Sequence, residues 1–223
     1  MTGPESAARP PSEREPGATA AHDLAAGAAV QRAAERAPTA LRRWPSLAGL
    51  LLGAAMAAAL FLTAGGRVEF GAAETAQVLV AAGLVYLGAA AFGIPWSAWV
   101  LFAITVVLIA VGIVEPGFDP LRIMLALAIV LAVWGLARGR ARPRWGLPLT
   151  TAAMLLIVAL ALGGGLLPQP WAGILVGVGL LAHAAWDWHH HRTRRVVSGS
   201  LAELCMVLDT VLGLGIIAFS LLG

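Results

Sequence analysis

A chain of 223 residues with 59% hydrophobic residues, 12% charged residues and a mean hydropathy of +0.83 is far more apolar than a soluble domain. Such domains carry roughly 45–50% apolar and about 25% charged residues, so an ordinary water-soluble fold is excluded and an all-α polytopic membrane protein is expected. The net charge of +3 rests on fifteen basic residues, all arginine; they lie outside the apolar stretches, so topology explains them and no nucleic-acid partner is expected.

Residues 1–45 are rich in Ala, Pro, Glu and Arg, with almost no large apolar side chains. Such a segment cannot bury enough apolar area to offset its ordering entropy. It also lacks the apolar core of a signal peptide. A disordered cytoplasmic tail is expected over 1–45, followed by a membrane domain over 46–223.

Seven apolar segments follow, at about 46–64, 72–92, 96–114, 120–137, 148–167, 170–190 and 200–222. Each is near the ~20 residues that cross ~30 Å of hydrocarbon. Pro45, Pro95, Pro120, Pro148 and Pro170 stand at or beside their starts, where a missing N–H costs nothing. Gly49-x-x-x-Gly53 and Gly173-x-x-x-Gly177 offer small-residue faces for packing within the bundle, or alternatively for a homo-oligomer or a membrane-protein partner. Gly163-Gly164-Gly165 predicts a kink or a cavity late in the fifth span.

The arginines orient the chain. With the N-terminus inside, the cytoplasmic connections hold Arg138, Arg140, Arg142, Arg144, Arg192, Arg194 and Arg195, and Arg36, Arg42 and Arg43 precede the first span. The outer connections hold only Arg67 and Arg122, accompanied by Glu69, Glu115 and Asp119. That asymmetry predicts N-in, C-out. The seven arginines of the cytoplasmic connections are expected to meet anionic lipid headgroups. Arginine without lysine, among abundant Ala, Leu, Gly and Val, points to a bacterial source and hence to the cytoplasmic (inner) membrane.

The unusual polar residues gather in the last hairpin, His183 to Asp209. His183, Asp187 and His190 are spaced i, i+4, i+7 and fall within about 60° on one helix face. Cys205 and Asp209 share a face of the next helix. If Asp187 lies level with Cys205, His183 falls level with Asp209, some 10–14 Å (roughly, at about 1.5 Å per residue) from the cytoplasmic helix ends. An aspartate at a helix centre costs about 2.5–3.5 kcal/mol on insertion scales. Asp209 therefore needs an inward position and a partner, and His183 is the expected one. Ser200 and Glu203 fit a capping box for the seventh helix, and Cys205 reads as a small buried apolar residue.

Three functions fit this hairpin. In the first, it is a cytoplasm-facing His/Asp site in a structural or accessory membrane protein. In the second, His183, Asp187 and His190 bind Zn or Fe with Asp209 as a further ligand, as an outer partner of the ligands or as general base, in a membrane-embedded hydrolase or oxidase acting on a lipid or apolar substrate. In the third, Asp209 and His183 form a relay in a proton-coupled transporter. The His183–His191 spacing resembles one histidine box of membrane hydroxylases and desaturases, and more faintly the seven-span ceramidase-like hydrolases. The resemblance covers those residues alone. No second box exists, since His22 lies in the tail, so the chain is assigned to neither family.

Overall fold

A computed structural model describes residues 43–63, 72–115 and 117–222. Among them are seven helices and no strand: α1 (Trp44–Thr63), α2 (Ala72–Phe92), α3 (Ser97–Val114), α4 (Pro120–Ala137), α5 (Leu147–Gly164), α6 (Trp171–Thr193) and α7 (Gly199–Leu222). The tail expected over 1–45 lies outside the described residues except at 43–45, where Trp44 and Pro45 already belong to α1. Arg67 and Glu69 lie outside them too. Helices α3, α4, α5 and α7 are long and apolar enough to cross a membrane, and Trp44–Ala58 and Gln77–Phe92 are shorter apolar stretches. Helix α6 is 23 residues long and carries most of the hairpin's polar side chains.

Two helices organise the packing. The α2 stretch Val80–Ala91 is almost entirely buried and packs on α3, α4, α5 and, more lightly, α6. Helix α7 packs on α6 and α1. Small residues set the closeness of that second group. A Cβ on Gly53 would lie 2.9 Å from the Leu208 carbonyl oxygen, and one on Gly49 would run into that of Leu204. On the other side of α7, a Cβ on Gly177 would lie 2.7 Å from the Gly213 carbonyl oxygen, and one on Gly173 would overlap the Ser220 hydroxyl. Both small-residue faces are thus occupied within the chain, as close backbone approach requires.

Local signals account for several ends. Pro120 opens α4 behind Asp119, whose side chain accepts from the Arg122 N–H at 3.1 Å, an N-cap. The α2–α3 turn needs Gly93 at φ 67°, which glycine adopts without steric cost. The triple glycine differs from expectation: α5 ends at Gly164 with Gly165 as its cap, so it terminates the helix instead of kinking it. The capping box differs as well. Helix α7 begins at Gly199, which puts Ser200 inside the first turn, and the Glu203 carboxylate accepts from Ser46 Oγ of α1. An interhelical donor competed successfully with the local cap.

The connections α2–α3, α4–α5 and α6–α7 meet at one end of the bundle. Arg140 Nη2 donates to the Phe92 carbonyl at 2.9 Å, and the Ser198 N–H donates to that of Pro95 at 3.2 Å. The Arg195 guanidinium lies 5.3 Å from the Trp145 ring centre. The start of α1 is at the same end, since Trp44 stacks on Trp99 at 5.6 Å. Arg138, Arg140, Arg142, Arg144, Arg192, Arg194 and Arg195 therefore share one end, while Arg122 sits at the start of α4 on an exposed ion pair with Asp119 at 2.9 Å.

Candidate functional site

Most hydroxyls in the helices are satisfied locally. Thr105, Thr210 and Ser220 donate to carbonyls of their own helices at 2.8, 2.7 and 2.8 Å, a bond that side chains of this kind readily make. His183 and Asp187 of α6 and Asp209 of α7 meet one another instead.

His183 lies between two carboxylates. Its Nδ1 donates to Asp209 Oδ2 at 2.7 Å and lies 3.3 Å from Asp187 Oδ2. The matched depth of His183 and Asp209 thus becomes direct contact. The physical cause lies about one turn further along α7, where the Gly177–Gly213 approach draws the two backbones close enough for short side chains to meet. Asp187 is fully buried and Asp209 is 4% exposed.

Tyr86 of α2, the single tyrosine of the chain, closes the group. Its hydroxyl donates to Asp187 Oδ1 at 2.5 Å, and its ring meets the His183 ring edge-on at 5.4 Å. Sequence reasoning missed this residue. The available signal was a lone phenol within an apolar span, since a buried tyrosine hydroxyl usually finds a partner. With Tyr86 engaged, the second oxygen, Asp187 Oδ2, is buried and accepts no hydrogen bond. Buried polar atoms are rarely left so.

Three of the four polar residues singled out by helical spacing and depth come together. One ring nitrogen of His183 and one oxygen each of Asp187 and Asp209 lie within 4.8 Å of one another, a group that could hold a metal ion. His190 is not in that group. Its Nδ1 donates to the Trp186 carbonyl at 3.0 Å, and its ring packs on Tyr86 at 4.9 Å and on Trp186 at 4.8 Å. His191 turns to the Gly199 carbonyl at 2.9 Å. Asp209, expected as ligand, outer partner or base, stands within that group.

The site faces a cavity of about 270 Å³ whose wall includes Tyr86, His183, Cys205 and Asp209 and is otherwise almost entirely apolar. Cys205 is a free thiol on that wall.

Comparison with protein-family models, curated proteins and solved structures finds no match, so the site is read from its own chemistry.

Replacing Tyr86 by phenylalanine keeps the ring packing and removes the donor to Asp187. The change is expected to cost about 1.5–3 kcal/mol, the worth of a hydrogen bond to a charged group. Thermal unfolding in detergent measures it. A variant as stable as the parent would show that the Tyr86–Asp187 bond contributes nothing.

Proposed function

We propose that this chain is a seven-span protein of the bacterial cytoplasmic membrane, N-in and C-out, that binds Zn or Fe at His183, Asp187 and Asp209. In this reading it is a membrane-embedded, metal-dependent hydrolase or oxidase acting on a lipid or apolar substrate. The gathering of seven arginines at one end of the bundle supports the orientation. Arg140, Arg142 and Arg195 line one pocket there beside Trp145, a place for anionic headgroups.

The metal reading is carried by Asp187 Oδ2, a buried carboxylate oxygen without a hydrogen bond that lies 3.3 Å from His183 Nδ1, itself 2.7 Å from Asp209 Oδ2. Ligands about 2.1 Å from a tetrahedral zinc stand about 3.4 Å from one another. The His183–Asp187 distance of 3.3 Å already fits; the 2.7 Å His183–Asp209 distance would open by less than ~1 Å as the ion replaces the shared proton. Tyr86 would orient the Asp187 ligand from behind. On the cavity side the ion would be open to water or substrate, and it would supply a nucleophilic water near neutral pH.

Metal analysis of protein purified without chelator tests this. The expected result is about one Zn or Fe per chain, lost in Asp187→Ala and His183→Ala while both variants remain monodisperse. A metal-free, fully folded parent that takes up neither ion would overturn it. That outcome favours a second reading, a structural or accessory protein whose Tyr86–Asp187 and His183–Asp209 bonds hold α2, α6 and α7 in register.

A further inference from the structure

The cavity beside the His/Asp group is much larger than that group needs. It follows α2 from Tyr86 to Val78 and α3 from Phe102 to Ile113, about 12–16 Å at about 1.5 Å per residue. Leu52 and Met56 of α1 form the facing wall. Its 270 Å³ exceeds the ~150 Å³ of apolar cavity that already admits a small ring. Apart from Thr105, whose hydroxyl is bonded to the Phe102 carbonyl, the lining is apolar except at the end where Tyr86, His183, Cys205 and Asp209 stand.

The packing shows where it opens. Around the cavity, α1 packs on α7, α7 on α6, α6 on α2 and α2 on α3. Between α1 and α3 the described residues make no extended packing, and the Trp44–Trp99 stack bridges them at the start of α1. On that side Val106 is 44% and Ile113 is 79% exposed. With α3 long and apolar enough to cross a membrane and α1 apolar over Trp44–Ala58, such a gap faces hydrocarbon, not water. The entrant is then a molecule already dissolved in the bilayer.

We propose that this cavity binds the single alkyl or acyl chain of a membrane lipid, entering sideways between α1 and α3. The chain lies along α2 and α3, and its uncharged polar end, an ester or hydroxyl, reaches His183 and Asp209. Two carboxylates at the polar end disfavour an anionic head there. The assignment of this molecule as substrate rests on the metal-enzyme reading above; its binding does not.

A monoacylglycerol carrying a photoactivatable diazirine midway along its chain tests the site, with adducts mapped by mass spectrometry on full-length protein in lipid nanodiscs. Adducts are expected at Val78, Val106 and Ile109. They should fall about tenfold or more in Ala82→Phe, which fills the cavity, and in Ala110→Phe, which narrows its mouth. Ala110 is exposed, so that variant keeps its fold even where Ala82→Phe does not. Metal content should stay unchanged in Ala110→Phe. Adducts distributed equally over the exposed Leu155 and Leu156 of α5, and insensitive to Ala110→Phe, would overturn the proposal in favour of annular lipid. Cavity adducts on a metal-free protein would leave the lipid site standing and remove the metal reading alone.

Discussion

His183→Ala is expected to destabilise the bundle by about 3–5 kcal/mol, the usual cost of removing one partner from a buried charged group. Asp187 and Asp209 would then face each other at 0% and 4% exposure, with one proton donor, Tyr86, on the far oxygen of Asp187. Asp209→Asn is the milder change, because its side-chain carbonyl still accepts from His183 Nδ1. The informative variant is the double one. With His183 absent, Asp209→Asn removes one of two opposed charges, so the pair of changes should cost less than their sum by about 0.5–3 kcal/mol. Thermal or denaturant unfolding of the four proteins in one detergent measures the coupling. Strict additivity would mean that the 2.7 Å His183–Asp209 contact contributes no interaction energy.

Gly177→Leu should be strongly damaging although it lies away from the polar group. A Cβ at 177 would lie 2.7 Å from the Gly213 carbonyl oxygen and 2.5 Å from Ile217 Cγ1. The first obstacle is backbone and cannot swing aside, so α6 must move off α7. Overpacking alone costs about 1–3 kcal/mol. Separating these helices also pulls His183 from Asp209, so a loss above the top of that range is expected. Gly163→Leu is the control: nothing lies within 4 Å of a Cβ there, and an effect within about 0.5 kcal/mol is expected. Unfolding midpoints and recovery of monodisperse protein report both. Equal behaviour of the two variants would contradict the close α6–α7 approach.

Much of the architecture is legible in the chain itself. Helix limits at 72–92 and 120–137 coincide with the apolar segments, because sustained apolarity bounded by proline or polar residues is a local property. The site was legible only in part. Spacing places His183 and Asp187 on one face of α6, and matched depth brings Asp209 alongside. The same spacing offered His190 as a ligand, but its ring packs on Tyr86 and Trp186 and stands outside the group formed by His183, Asp187 and Asp209. Helical periodicity reports which side chains share a face, not which way a ring turns. Tyr86 stands 101 residues from Asp187, beyond any local pattern.

Composition, hydropathy and the placement of charge along the chain therefore determined an all-helical, membrane-suited protein with its rare polar residues in the last hairpin. These follow from the cost of exposing apolar surface to water and polar backbone to hydrocarbon, which each segment meets independently of the others. Tertiary structure alone decided that Tyr86 joins His183, Asp187 and Asp209, that Glu203 turns to Ser46, and that an apolar cavity ends at the site. Those outcomes depend on how closely and at what level helices pass. Here that was set by glycines of α1, α6 and α7, whose missing side chains matter only against a particular neighbour.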